Sequence, residues 1–269
     1  MKKAIQDFLS LVARDWRHFN WFAKPNISYS ETCLFITGKF FPLSLAFSIV
    51  TSAIFFSIIF LDTPFAVFAK QIDPNIRHFF GEITEIGSSE WFIIVTLTII
   101  CFTLIGMRIS NSMKMKYSLA LIRQWSWYFL AVIAIVGLSV NFVKYALGRA
   151  RPKHFEELGV LEFDFLLFES SFASFPSGHT TTVISAAFAL AIIFPKLRTI
   201  LITIGCWVAL SRVIIGAHYL SDILAGYLYG GVGSFIMYQY FLCQKYFKEP
   251  TKKRREIIRA AFKSCLKNR

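Results

Sequence analysis

Two histidines, one carboxylate and three cations stand in this chain at spacings that suit phosphate chemistry. Lys144 is followed after six residues by Arg151-Pro152. Pro176-Ser177-Gly178-His179 comes next, and Ser211-Arg212 is followed by His218 and then, four positions on, by Asp222. Cleaving a phosphoester requires positive charge around the non-bridging oxygens, a nucleophile in line and a proton for the departing oxygen. Lys144, Arg151 and Arg212 are the candidates for the charge. The two guanidinium groups offer forked donors matched to phosphate oxygens, and the lysine offers a point charge. Alone, each would read as a side chain snorkelling from a helix end to lipid headgroups; beside two histidines they read as an anion site. Ser177 is suited to cap a helix that starts at Gly178, where the missing side chain lets an anion approach the free N–H groups of the first turn. His179 follows at once. His218 and Asp222, four apart on a helix, would share a face, so that Asp222 orients one imidazole nitrogen and leaves the other as a nucleophile. The competing reading is a buried His–Asp pair that ties two helices together.

The elements that must position these groups are apolar. Hydrophobic residues make up 55% of the 269, with 30 phenylalanines, more than a soluble domain of this length needs. Nearly uncharged runs close to the length of a bilayer crossing cover Leu43 to Leu61, Trp91 to Met107, Ser126 to Tyr145, Thr180 to Phe194, Thr199 to Ile215 and Leu220 to Leu242. The expected fold class is all-α: a polytopic bundle of six transmembrane helices with short extramembrane helices, forming a single integral domain over residues 1–269. Residues 1–42 include an amphipathic stretch from Ile5 to Phe19, read as an interfacial helix retained in the mature protein, and residues 243–269 form a basic tail. The segment from Asp62 to Glu90, punctuated by Pro64, Pro74 and Gly81, is expected to hold short helices and turns outside the membrane.

Loop charge gives the threading. Basic residues crowd the N-terminal region, the segment with Arg108, Lys114, Lys116 and Arg123, the turn with Lys196 and Arg198, and the tail after Leu242. The alternate loops are acidic, with Asp62, Asp73, Glu82, Glu85 and Glu90 in one and Glu156, Glu157, Glu162, Asp164 and Glu169 in the other. Basic loops stay in the cytoplasm, so both termini are expected there, in the inner membrane, with the motifs meeting at the outer face. The motif positions and the loop charges are largely independent, and they agree. A net charge of +13 is accounted for by topology and by attraction of the tail to anionic lipid, and no nucleic-acid partner is expected. The five cysteines fall in the spans or on the cytoplasmic side and suggest neither a disulfide framework nor a zinc site.

In order and internal spacing, the three motifs from Lys144 to Asp222 resemble the signature of the phosphatidic acid phosphatase type 2 family of membrane lipid phosphatases. The resemblance implies that His218 attacks phosphorus to form a phosphohistidine, that Asp222 orients it, and that His179 protonates the leaving alcohol. It further implies that Lys144, Arg151 and Arg212 hold the phosphate with help from Ser177 and the backbone at Gly178, without a metal or other cofactor. The partner would be a lipid phosphate such as undecaprenyl pyrophosphate, phosphatidylglycerol phosphate, phosphatidic acid or lipid A, among the surrounding membrane lipids. A lipid phosphotransferase would carry the same site, and a non-catalytic anionic-lipid binding protein could carry the same cations. Arg149, Lys153 and His154 flank the first motif and Ser211 and Ser221 the third. Of these, Lys153 and His154 are read as headgroup or solvent contacts.

Overall fold

The computed structural model describes residues 44–85 and 87–243. The expected amphipathic helix within residues 1–42 and the basic tail lie outside that range. Seven helices organise the described residues: α1 (Ser44–Gln71), α2 (Pro74–Glu85), α3 (Ser89–Ile109), α4 (Met113–Leu147), α5 (Gly178–Ile193), α6 (Arg198–Ile214) and α7 (Leu220–Cys243). Short helical turns join them, and β-pairing among the described residues is limited to an isolated bridge between Arg149 and Phe163.

Five helical segments are long and apolar enough to cross a membrane: Ser44–Gln71, Pro74–Ile109, Met113–Leu147, Pro195–Ile214 and Leu220–Leu242. The sixth expected span is α5, whose 16 residues fall short of that length. At about 1.5 Å per residue such a helix covers roughly 24 Å, against a hydrocarbon layer of about 30 Å. Its position explains how it dispenses with the length. It is the central helix, packed on α4, α6 and α7, and Thr180 to Ala187 are all buried.

Two apolar clusters hold this core. Tyr128, Val132 and Val136 of α4 meet Ala186 and Ala189 of α5 and Phe241 of α7. On the other side of α5, Val183 and Ile184 meet Val208, Ala209 and Val213 of α6 and Ile223 of α7. Close approach of α7 to α5 rests on small residues: a Cβ placed on Gly230 would lie 2.7 Å from the Thr181 carbonyl oxygen.

Two boundaries differ from the sequence reading. The first helix does not end at Leu61. It continues to Gln71 through a π-helical turn at Ser57–Leu61, and Asp62, expected in a solvated loop, is fully buried. Pro64 accounts for the turn, because it can neither donate to the carbonyl four residues back nor fit against it, and a widened turn relieves both. The helix of the third expected span, α4, begins at Met113, so Lys114, Lys116 and Arg123 sit on α4 itself instead of in a loop.

Candidate active site

All three motifs collect at one end of the bundle, where α4 and α6 finish and α5 and α7 begin. Gly148 ends α4 in the left-handed conformation (φ 62°), with its N–H donating to the Lys144 carbonyl. Any side chain there would collide with the backbone, since a Cβ would fall 1.6 Å from the Asp164 carbonyl oxygen. The chain then runs as a short extended segment stitched on both sides: Ala150 N donates to Glu162 O, Arg151 N to Ser171 O, and Ser174 N to Arg149 O, each at 3.0 Å. The loop after Pro152 therefore serves as the frame for the first motif. His154, read as a headgroup or solvent contact, is half-buried. It stacks on Phe172 with centroids 5.6 Å apart, while Lys153 is exposed.

Ser177 is the N-cap of α5, as expected. Its Oγ accepts from Thr180 N at 3.4 Å and from Thr180 Oγ1 at 3.1 Å, and its backbone N–H donates to the Asp222 carbonyl at 3.1 Å. That last bond locks the start of α5 to the start of α7. Gly178 faces Lys144, whose Nζ would lie 3.5 Å from a Cβ at that position. His179 lies within electrostatic reach of Arg212, His218, Lys144 and Arg151, so the two histidines and three cations share one pocket. The Nε atoms of Arg151 and Arg212 are buried with no hydrogen-bond partner among the described residues. Burial holds the Arg151 guanidinium below its usual range, with Asp222 acting in the opposite sense. Arg212 is steadied by one long contact, NH1 to Thr84 Oγ1 of α2 at 3.4 Å.

His218 and Asp222 are brought together, but not on one helical face. Helix α7 starts at Leu220, leaving His218 in the preceding turn, where its N–H donates to the Arg212 carbonyl. Asp222 reaches back to accept from Tyr219 N at 2.9 Å, the side-chain half of a capping box. His218 Nδ1 lies 3.5 Å from Asp222 Oδ2 and 3.5 Å from Ser174 Oγ, and Ser174 Oγ donates to the same carboxylate oxygen at 2.6 Å. His218 is 4% exposed, and that burial lowers its pKa, with Asp222 pulling the other way. That direction favours the neutral imidazole, the form a nucleophilic ring nitrogen requires.

Beneath this pair lies a layer that motif reading missed. Arg149, fully buried, uses all five N–H donors: Nε and NH2 to Val160 O, NH2 to Asp62 Oδ2, and NH1 to Ser221 Oγ and Asp222 Oδ1, at 2.6–3.2 Å. Its guanidinium stacks over Tyr219 at 4.5 Å. Burial opposes its charge, yet Asp222 and Asp62 outweigh that effect and raise its pKa. Arg149 and Ser221 had been noted only as flanking residues, and Asp62 as one acid among several in a loop. An acid directly abutting an apolar run was the available signal, since carboxylates at that depth require a partner.

The sequence model of the PAP2 superfamily matches residues 125–245. A lipid A 1-phosphatase of Rhizobium johnstonii is 30% identical over 223 residues, covering 83% of this chain and 84% of that protein. An undecaprenyl-diphosphatase of Sulfolobus acidocaldarius is 37% identical over 109 residues, 40% of this chain and 50% of that protein. In fold, the chain is similar to the crystal structure of a transmembrane PAP2-type phosphatidylglycerolphosphate phosphatase from Bacillus subtilis. That likeness has a TM-score of 0.50 at 24% identity and covers 74% of this chain and 94% of the other.

Proposed function

Because this chain belongs to the PAP2 superfamily of membrane phosphatases, we propose that it hydrolyses the phosphate of a membrane lipid through a phosphohistidine on His218. The observation that carries this reading is the meeting of Lys144, Arg151, Arg212, His179 and the His218–Asp222 pair at one end of the bundle. His218 Nε2 attacks phosphorus while the bond to the lipid oxygen breaks and His179 gives that oxygen a proton. Water then attacks the phosphorus, the N–P bond breaks, and His179 takes the proton back as phosphate leaves. Lys144, Arg151 and Arg212 offset the charge on the non-bridging oxygens in both steps, aided by the N–H groups of the first turn of α5. Asp222 orients His218 and favours the positive ring that attack creates.

The similarity to lipid A 1-phosphatases over most of both chains supports a lipid A type of amphiphile as the first substrate to test. Undecaprenyl pyrophosphate, phosphatidylglycerol phosphate and phosphatidic acid follow. The basic ends of α4 and α6, at Lys114, Lys116, Lys196 and Arg198, lie opposite the end that holds the site. By the positive-inside rule this supports six crossings of the inner membrane, cytoplasmic termini and a site facing outward.

Phosphate release by the purified full-length protein across a panel of these lipids tests the reading. Wild type is expected to release free phosphate from at least one of them, and His218→Ala to release none while retaining its elution profile and helical content. Turnover by a folded His218→Ala at the wild-type rate rejects the mechanism.

A further inference from the structure

Asp62 stands outside the three motifs and outside residues 125–245, on helix α1, yet its carboxylate is bonded to residues of the site. Its Oδ1 accepts from Ser57 Oγ at 3.2 Å across the π-helical turn and from Ser221 N at 2.9 Å. Its Oδ2 accepts from Arg149 NH2 at 2.8 Å and from Ser221 Oγ. Arg149 in turn grips Asp222 Oδ1 at 2.6 Å. Two carboxylates and one guanidinium, all at 0% exposure, leave the cluster with one formal negative charge in excess. Here the surplus sits at the start of α7, where the helix dipole favours it and where Ser221 N and Tyr219 N donate to it. It lies directly under the His218 imidazole.

Resting on the assignment of His218 as nucleophile, we propose that Asp62 is a positioning residue for the reaction. Through Arg149 it fixes Asp222, and it supplies the negative charge that Arg149 would otherwise cancel. As His218 Nε2 commits its electron pair to phosphorus, the ring becomes positive. With Asp62 neutralised, the Arg149–Asp222 pair below it would have no net charge to offer. The low-dielectric surroundings make that difference count.

Initial rates of lipid phosphate hydrolysis by the full chain in detergent, with alkaline-denaturant quench trapping of the acid-labile, alkali-stable phosphoenzyme, test this. Asp62→Asn, nearly isosteric but uncharged, is expected to lower kcat and phosphoenzyme formation by about 10- to 100-fold, as outer partners of active-site groups do, and to move KM by less than about threefold. Asp62→Glu restores the charge at the expense of the fit and is expected to be the more active of the two. A purely structural role reverses that order, because the larger side chain disturbs a packed site more than the amide does. Wild-type kcat in folded Asp62→Asn, or Asp62→Asn more active than Asp62→Glu, overturns the proposal. If neither variant folds, Ser57→Ala decides: lower kcat at unchanged KM supports the role, and unchanged kcat rejects it. A wild type that releases no phosphate, or a fully active His218→Ala, defeats the functional reading first; wild-type turnover alongside an unaffected Asp62→Asn defeats this inference alone.

Discussion

Arg149 and Arg151 are two residues apart on one stitched segment, and their surroundings are opposite. Arg149 is walled in by Asp62, Asp222, Ser221 and the Val160 carbonyl, with no donor to spare. Arg151 has no carboxylate within salt-bridge distance among the described residues, and its Nε is buried without a partner. Arg212, buried against α2, matches Arg151 in this respect. One arginine is spent on the protein's own anions, and the other is left hungry for an external one. Residue type alone does not distinguish a structural cation from a ligand-binding one. The state of its donors does.

The sharpest way to break the comparison is to truncate both. Arg149→Ala strands two buried carboxylates and is expected to cost about 3–5 kcal/mol of stability, as loss of one partner of a buried ion pair does. In a thermal melt in detergent the variant should unfold far below wild type or fail to accumulate. Arg151→Ala removes a half-buried charge that makes no salt bridge among the described residues, so its melting temperature should match or exceed that of wild type. Its turnover should nevertheless fall by about 10²–10³-fold, the usual cost of losing one transition-state donor. Equal destabilisation by both would erase the distinction.

The same contrast separates what was legible in the sequence from what was not. Lys144, Arg151, Ser177, Gly178, His179, Arg212, His218 and Asp222 could be gathered because loop charge and motif spacing independently sent them to one end of the bundle. The Ser177 cap was legible as well, since its partner Thr180 is only three residues away. Asp62 and Arg149 are 87 positions apart, and nothing local announces their bond. Reading the first span by hydropathy also ended it at its first acid, which concealed the helix that carries Asp62 inward. His218 was assigned to a helical face because four residues separate it from Asp222. The start of α7 is set instead by Asp222 capping Tyr219 N, which holds His218 in the turn ahead of it. Likewise α5 reads as a span from its composition, and what the sequence does not show is the burial by three neighbours that lets it be shorter than a lipid-facing helix.

A gentler probe sharpens the contrast without truncating Arg149. Inorganic phosphate should bind the cations that lack internal partners and stabilise the folded protein, by about 2.7 kcal/mol at a concentration 100 times its Kd. The rise in melting temperature should disappear in Arg151→Ala and Arg212→Ala. It should persist in Arg149→Lys, which keeps the charge but loses the fork, provided that variant folds. Persistence of the rise in both Arg151→Ala and Arg212→Ala would show that phosphate binds elsewhere.

The smallest expected effect is on pH dependence, and it reports on both layers at once. His218 attacks only as the neutral imidazole, so kcat/KM must fall as pH drops through its pKa in the free enzyme. Burial is the largest influence on that pKa and lowers it. The hydrogen bond and charge of Asp222 raise it, and Arg212 and Arg151 lower it further, for a net shift below the ordinary value of about 6.5. The acid limb of the profile should therefore lie below about pH 6.5. Removing a cation of the open layer, as in Arg151→Gln, should move the limb toward higher pH, because the imidazolium is then less opposed. Removing negative charge from the closed layer, as in Asp62→Asn, should move it toward lower pH through the weakened pull of Asp222. Opposite displacements from two substitutions on either side of one imidazole are what a ring held between an anion site and an anionic base requires. Displacements in the same direction would mean that the two layers do not act on His218 separately.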